Sequence, residues 1–398
     1  MAEIVDVFLV LLAGLLAIPV TVLVVEIVAA ILLPSDGEAP EAEQVRRRVA
    51  VLVPAHNESA GLRPTIADIK PQLRSGDRLL VVADNCSDDT AAIAAADGAD
   101  VIERNDLSKI GKGYALDWGI RHLTTDASAI VVVIDADCRV AANSIDRLAS
   151  VCARSGRPVQ ALDLMTAPDN SPINYQVAEF TWRLKNWIRP LGLRALRLPC
   201  QLMGTGMAFP WNLISSINLA SSEIVEDLKI GLELALAGSP PIFCPTALVT
   251  SQFPSSGEAS TAQRQRWEQG HMRMILKAAP RFIWLALMQR NFPLLALVLD
   301  LAVPPLTLLG LLTIATFAID GTAFLVGFSP TALIISTCSL AALLVAVFLS
   351  WLRFGRDVLP PTAFLAVAHF ILAKFSLYRR MMSRGVPLHW IRTDREKK

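Results

Sequence analysis

The sequence predicts an α/β protein: a domain built on a mostly parallel sheet, flanked by transmembrane helices and interfacial amphipathic helices. Three observations carry this reading. Long apolar runs stand near both ends of the chain, the stretch between them alternates short β-branched runs with Ala-rich helical segments, and three of the predicted strands end in polar clusters. Strands alternating with helices read as a largely parallel sheet.

Composition sets the bounds. At 398 residues there is room for one α/β domain plus membrane segments. Hydrophobic residues make up 53% and charged residues 18%, with mean hydropathy +0.46, which departs from the soluble average toward membrane proteins. A net charge of +1 argues against a nucleic-acid binder, which needs a domain-wide basic excess. The six cysteines form no CxxC pair, so neither a zinc site nor a disulfide framework is indicated. They read as small buried hydrophobes.

The first element, Val7–Leu33, is apolar apart from Pro19 and Glu26 and longer than the roughly 20 residues a spanning helix needs. No basic segment precedes it and no small-residue cleavage motif comes after it, which disfavours a cleaved signal peptide. Arg46, Arg47 and Arg48 place the next segment in the cytoplasm by the positive-inside rule. Predicted strands then cover Val49–Pro54, Leu79–Ala83, Val101–Glu103, Ala129–Ile134 and Val159–Leu164. Between Phe180 and Leu198, apolar and basic residues mix at helical spacing. This is either a helix on the inner membrane surface, broken by Pro190, or an ordinary packed helix with a solvated face.

Phe292–Ile319 and Phe324–Leu352 read as an out-and-back membrane pair separated at Asp320 and Gly321, with Pro304 and Pro305 kinking the first and Asp300 an unusual intramembrane charge. Leu359–Leu377 precedes a basic tail and reads as interfacial or re-entrant, since a span would put that tail outside. The expected organisation is an N-terminal transmembrane helix in 1–34, a catalytic domain in 46–250, interface helices in 251–291, a transmembrane pair in 292–352, and an interfacial or transmembrane segment with the basic tail in 353–398.

Five signals carry chemistry. Asp135-Ala136-Asp137 follows an apolar strand, so two carboxylates one residue apart can flank Mg2+ or Mn2+, whose other positions go to phosphate oxygens; alone, such a pair is more often a helix cap or a solvated turn. Asp84 ends a strand, where it can accept hydrogen bonds from a base or ribose, while Ser87 or Asp88 reads as a helix cap. Lys112 between Gly111 and Gly113 can approach phosphate or mark a plain turn. Glu226-Asp227 starts a helix, which favours carboxylates in any case, and the functional reading makes Asp227 a base for an acceptor hydroxyl. Gln263-Arg264-Gln265-Arg266-Trp267 is a Q-x-x-R-W string with an aromatic plane suited to sugar and an arginine suited to diphosphate.

In order and spacing these signals resemble the membrane-integrated members of glycosyltransferase family 2, the group of cellulose, hyaluronan and poly-N-acetylglucosamine synthases and many exopolysaccharide glycosyltransferases. The likeness runs from about Val49 to Gly270. It implies a GT-A catalytic domain facing the cytoplasm in a multi-pass protein of the inner (plasma) membrane. It also implies a UDP-sugar donor, a glycan or lipid-linked acceptor, contact with membrane lipids and room for accessory subunits. On this resemblance Pro54, Ala55, His56, Asn57, Glu58 and Asp84 bind the nucleotide, with Lys112, Asp135, Ala136, Gln263, Arg266 and Trp267 completing the donor site. Asp137, with Asp135, holds the metal. Gly204, Thr205, Gly206, Trp211 and Trp267 face the acceptor, and Asp227 with Glu226 is catalytic within V-E-D, where the family has T-E-D. Ala83 stands where the commoner pattern has a second aspartate. The implied reaction is a single displacement with inversion, ending in either a polymer or a single added sugar. Outside this chemistry, a different diphosphate-dependent transferase or a degenerate membrane scaffold is the alternative.

Overall fold

Strand β1, Val49–Ala55, shows how the sheet is built: Val49, Val51 and Val53 point into one buried layer, Ala50 and Leu52 into the other. A strand apolar on both faces must be covered by helices on both. The computed structural model describes residues 2–33, 46–223, 225–255 and 257–363. Its elements run α1 (Ala2–Leu32), β1, α2 (Leu62–Ile69), β2 (Arg78–Asp84), α3 (Thr90–Ala96), β3 (Asp100–Arg104), α4 (Lys112–Leu123), β4 (Ile130–Val133), β5 (Arg139–Val140), α5 (Ser144–Ser155) and β6 (Val159–Thr166). There follow α6 (Ile173–Arg183), α7 (Arg189–Ala195), β7 (Met207–Pro210), α8 (Trp211–Ile214), α9 (Glu226–Leu236), β8 (Ile242–Gln252), α10 (Gly257–Arg273), α11 (Ala279–Met288), α12 (Phe292–Leu301), α13 (Leu306–Leu325) and α14 (Pro330–Phe354).

The sheet order is β3-β2-β1-β4-β7-β6-β8-β5. β3, β2, β1 and β4 are parallel, as β6 is to β8, whereas β7 runs antiparallel to both its neighbours and β5 antiparallel to β8. Helices α2 and α5 cover one face, α4 and α9 the other. The fold is thus a mixed α/β sheet of GT-A type. All five expected strands are present, and β5, β7 and β8 are additional. Met207–Pro210 is short and follows a glycine-containing loop, so periodicity alone carries no signal for it. Cys138, Cys152, Cys200 and Cys244 are buried as expected, Cys86 is half-buried, and Cys338 is exposed.

Three described helices, α1, α13 and α14, are long and apolar enough to cross a membrane. The expected pair differs in its boundaries. Pro304 and Pro305 do not merely kink Phe292–Ile319; they separate α12 from α13, because neither ring can continue a helix in the usual way. Asp320 and Gly321 lie inside α13, and the turn falls at 326–329. There the Ser329 amide donates to Asp6 Oδ1 at 2.9 Å, tying the turn to the amino end of α1. Most of Leu359–Leu377 and the whole basic tail lie outside the described residues.

The Phe180–Leu198 segment is a packed helix, with Leu184 and Ile188 buried against Val20, Leu23 and Ile27 of α1. Pro190 does not break it. A wide turn over Leu184–Ile188, in which the Arg189 amide donates to the carbonyl five residues back, leads into α7. This turn relieves the clash a proline ring makes with the preceding turn. The same device precedes Pro280, at Met274–Ala278. Contact with α1 is close: a Cβ added at Gly192 would collide with the Glu26 carbonyl. Here Arg189 forms ion pairs with both Glu26 and Asp300, all three side chains being buried. Glu26 and Asp300, two of the charges that stand within apolar segments, therefore share one guanidinium.

Candidate active site

Because β1, β2 and β4 are parallel, their carboxyl ends meet along one edge, where open α/β sheets bind ligands. A cavity of about 350 Å3 opens there. Its wall gathers Pro54 and Ala55 at the end of β1, His56 and Glu58 just beyond it, Asp84 at the end of β2, Lys112 at the start of α4, and Asp135, Ala136 and Asp137 after β4. Gly204 and Thr205, Glu226 and Asp227 at the start of α9, and Gln263, Arg266 and Trp267 of α10 complete it. Residues more than 200 positions apart in sequence thus converge on one space.

Three expected site residues stand elsewhere. Asn57 does not line the cavity; its Oδ1 accepts from the Ser87 amide at 2.7 Å and holds the two strand-end loops together. Gly206 packs under the sheet, where a Cβ would approach Ala161 Cβ to 2.8 Å, at a φ of +65° that side chains rarely adopt. Trp211 begins α8 beside Pro210, which pairs with Ile130 at the amino end of β4, so the antiparallel run of β7 carries the indole to the far edge of the sheet. Its aromatic face packs in the layer under α4 and α9.

Around the ends of β1 and β2, His56 Nδ1 donates to the Asp84 carbonyl oxygen at 2.7 Å. The Asp84 carboxylate forms a buried pair with Arg104 of β3, which also lies 5.4 Å from the Tyr114 ring centroid. Burial pushes the Asp84 carboxyl above its ordinary range, with Arg104 opposing. Arg104 is invisible as a site residue in the sequence because it ends an exposed edge strand. The cap position of α3 falls on Asp89, which makes no side-chain cap hydrogen bond, and not on Ser87 or Asp88; Asp88, one residue earlier, accepts from the Thr90 amide through Oδ1 at 3.1 Å.

Lys112 is the electrostatic hub. Its ammonium pairs with Asp135 and donates to the Gly204 carbonyl at 2.8 Å. Burial works to lower its pKa, but Asp135, Glu226 and Asp227 outweigh that and hold it above the usual lysine value. The Asp135 amide donates to Thr205 Oγ1 at 3.0 Å, and buried Gln160 spans the Thr205 carbonyl and the Met203 amide. The loop is thereby pinned to β6. A Cβ at Gly204 would sit 3.6 Å from both Asp227 Oδ2 and Lys112 Nζ, so the backbone passes directly beside the carboxylate.

The acids differ in state. Burial, with Asp227 adding to it and Lys112 opposing, raises Glu226 to about 8. Asp227 is also raised by burial, but the Leu228 amide, Lys112 and Lys185 oppose the shift. Sequence reasoning missed Asp163, an acid in the middle of a mostly apolar, largely buried strand, itself a usable signal. It accepts from Asn186 Nδ2 at 3.0 Å, and burial with the Asp135 charge raises it to about 8. His271, also missed, donates from Nε2 to the Leu301 carbonyl at 2.8 Å, and burial lowers it to about 3, so it stays neutral. Gln263 Oε1 is buried with no partner among the described residues. Trp267 packs on Trp182 at 5.2 Å between centroids.

A carboxyl whose pKa is raised on folding stabilises the fold most below its unfolded pKa and loses that contribution as pH rises through the folded value. Asp163 and Glu226 should therefore make the protein less stable between about pH 5 and about pH 8. Thermal melting across that window should show a falling midpoint, and Asp163→Asn should flatten the fall; a rising midpoint would remove this assignment of charge states.

Among described residues no group of three or more His, Cys, Asp or Glu side chains could enclose a metal. Two carboxylates at a strand end do suit a hard cation that takes its remaining ligands from diphosphate and water.

The comparisons agree with this architecture. A probable glycosyltransferase of Bacillus subtilis, YdaM, is 25% identical over 257 residues, covering 59% of this chain and 58% of the relative. Glucosyl-3-phosphoglycerate synthase of Mycobacterium tuberculosis is 39% identical over 104 residues, 24% of this chain and 31% of the relative. The chain thus spans under two thirds of the length of these curated relatives. Among solved structures, a mannosyltransferase of Pyrobaculum calidifontis, in complex with GDP-mannose and Mn2+, superposes with TM-score 0.51 at 18% identity, over 87% of this chain and 99% of that one. That likeness speaks to the fold. The family model described as "Glycosyltransferase like family 2" matches residues 46–270, which take in every cavity residue from Pro54 to Trp267, and with more than half of its length matched the chain belongs to that family.

Proposed function

We propose that the protein is a membrane-integrated, inverting glycosyltransferase that moves a sugar from a UDP-sugar to a growing polysaccharide or lipid-linked glycan, in the manner of the synthase-like branch of its family. The observation that carries the reading is the position of Asp227: a half-buried carboxylate at a helix start, beside the Gly204 backbone, in one cavity with Asp135, Asp137 and Trp267. Three long apolar helices support a place in the bacterial inner membrane with 46–250 facing the cytoplasm. Exopolysaccharide or cell-envelope glycan synthesis is the corresponding role.

On this reading Asp135 and Asp137 hold Mg2+ or Mn2+, which supplies charge to stabilise the departing diphosphate. Asp84, His56 and Glu58 take the nucleoside end, and Lys112 adds a fixed cation beside the phosphates. Trp267 offers an apolar plane to the sugar and Arg266 a donor fork. The acceptor hydroxyl oxygen forms a bond to the anomeric carbon as the carbon–oxygen bond to the nucleoside diphosphate breaks. The electron pair leaves with the diphosphate and the hydroxyl proton passes to Asp227.

Detergent-solubilised protein incubated with a panel of UDP-sugars and either cation should release UDP from one donor, and chelation should remove that release. UDP release unaffected by chelator would exclude the metal role of Asp135 and Asp137, and none from any donor would exclude the donor class. A product ladder would mark polymerisation, a single added sugar the one-step reaction.

A further inference from the structure

A second cavity of about 120 Å3 lies behind the first, and five residues, Trp182, Lys185, Arg189, Trp267 and His271, line both. Its opposite wall comes from Leu23 of α1 and the bend from Val303 to Thr307 that leads into α13. Leu23 precedes the carboxyl end of α1 at Leu32 by nine residues, which is about 13 Å along a helix axis. With that end at the inner membrane surface, this wall stands at the depth of acyl chains. The smaller cavity therefore connects the candidate transfer site to the apolar layer.

Its charges differ in what answers them. Arg189 is paired with Glu26 and Asp300, and Arg264 stands on the wall with Glu268. Lys185 forms no ion pair among the described residues; it is exposed in the wall shared by the two cavities, with Nζ 5.9 Å from the Trp182 ring centroid. A cation at this junction, with an apolar wall on one side and Asp227 on the other, matches a molecule with an anionic neck, an apolar tail and a reactive hydroxyl beyond the neck.

We propose that the smaller cavity is the port for the acceptor, and that the acceptor is an amphiphile in which a phosphate or diphosphate joins a long apolar chain to the sugar-bearing end. The phosphate sits on Lys185, the chain leaves past Leu23, Val303 and Leu306, and the acceptor hydroxyl reaches into the larger cavity toward Asp227. The volume suits the neck of such a molecule, with the remaining chain in the bilayer. This inference rests on the transfer reading of the larger cavity and names its acceptor class.

The test uses the full chain in maltoside micelles with a decyl phosphate carrying a diazirine at the tail, the cross-links being located by peptide mass spectrometry and UDP release being followed in parallel. Saturable labelling of 303–307 or of α1 near Leu23 is expected, displaced by dodecyl phosphate and not by inorganic phosphate or by an uncharged decanol. Lys185→Gln should weaken displacement about tenfold or more, as befits loss of a charge-assisted contact. Leu306→Trp, which fills the port, should abolish the labelling. Unsaturable labelling spread over the outer faces of α13 and α14, equal displacement by decanol, or equal displacement by inorganic phosphate would each overturn the port. UDP release without labelling of the port removes this inference alone. Labelling without UDP release from any donor removes the transfer reading and leaves a lipid-phosphate site.

Discussion

Asp227→Asn is expected to lower the rate of sugar transfer roughly hundred- to ten-thousand-fold, the range for loss of a general base, with little change in donor KM. The amide keeps the shape of the side chain beside Gly204 and removes only its capacity to take a proton. Glu226→Gln should cost far less. Burial holds the Glu226 carboxyl well above its ordinary range, so the amide resembles the protonated form that burial favours. Equal losses in the two variants, measured as kcat for UDP release with acceptor, would contradict the assignment of the base to Asp227. Because burial also raises Asp227 and a base acts only when deprotonated, kcat/KM should climb with pH through a value above the ordinary carboxylate range.

Arg189→Met is the second change with a large expected effect, here on stability. Removing the guanidinium leaves Glu26 and Asp300 buried without their shared partner, and breaking a buried pair in this way costs roughly 3–5 kcal/mol. The loss should appear as a lower unfolding midpoint in detergent. The triple variant Arg189→Met, Glu26→Gln, Asp300→Asn should recover much of it, since no uncompensated charge remains. A single variant as stable as the parent would show that the pair is not what joins α1 and α12 to the helix carrying Lys185. The prediction bears on function because Arg189 also lines both cavities, so a loosened junction would reach Trp182, Lys185 and His271.

Much of the site is legible directly in the chain. Asp84, Asp135 and Asp137 follow apolar β-branched runs, and a parallel sheet brings the carboxyl ends of such strands together. Glu226-Asp227 announces a helix start, and α9 begins there. Trp211 is not at the site because its proximity to Gly204 in sequence is not proximity in space: a strand directed away from the site intervenes. Asn57 and Gly206 sit among cavity residues in sequence, yet successive backbone positions face different ways, and these two are turned toward the adjoining loop and the sheet.

The sequence by itself determined the local and periodic features: which segments are apolar enough to span, which alternate as strands of a doubly covered sheet, and which acids end them. Each depends on neighbours within a few residues, so patterning suffices. Only the tertiary structure decided that Arg189 answers both Glu26 and Asp300, that Lys112 joins Asp135 to the Gly204 loop, and that Asp163 and His271 belong at the site. Those outcomes depend on burial and on charges brought together from segments up to 274 residues apart, as Glu26 and Asp300 are. The free energy of a buried charge is set by what surrounds it in space, which no local window contains.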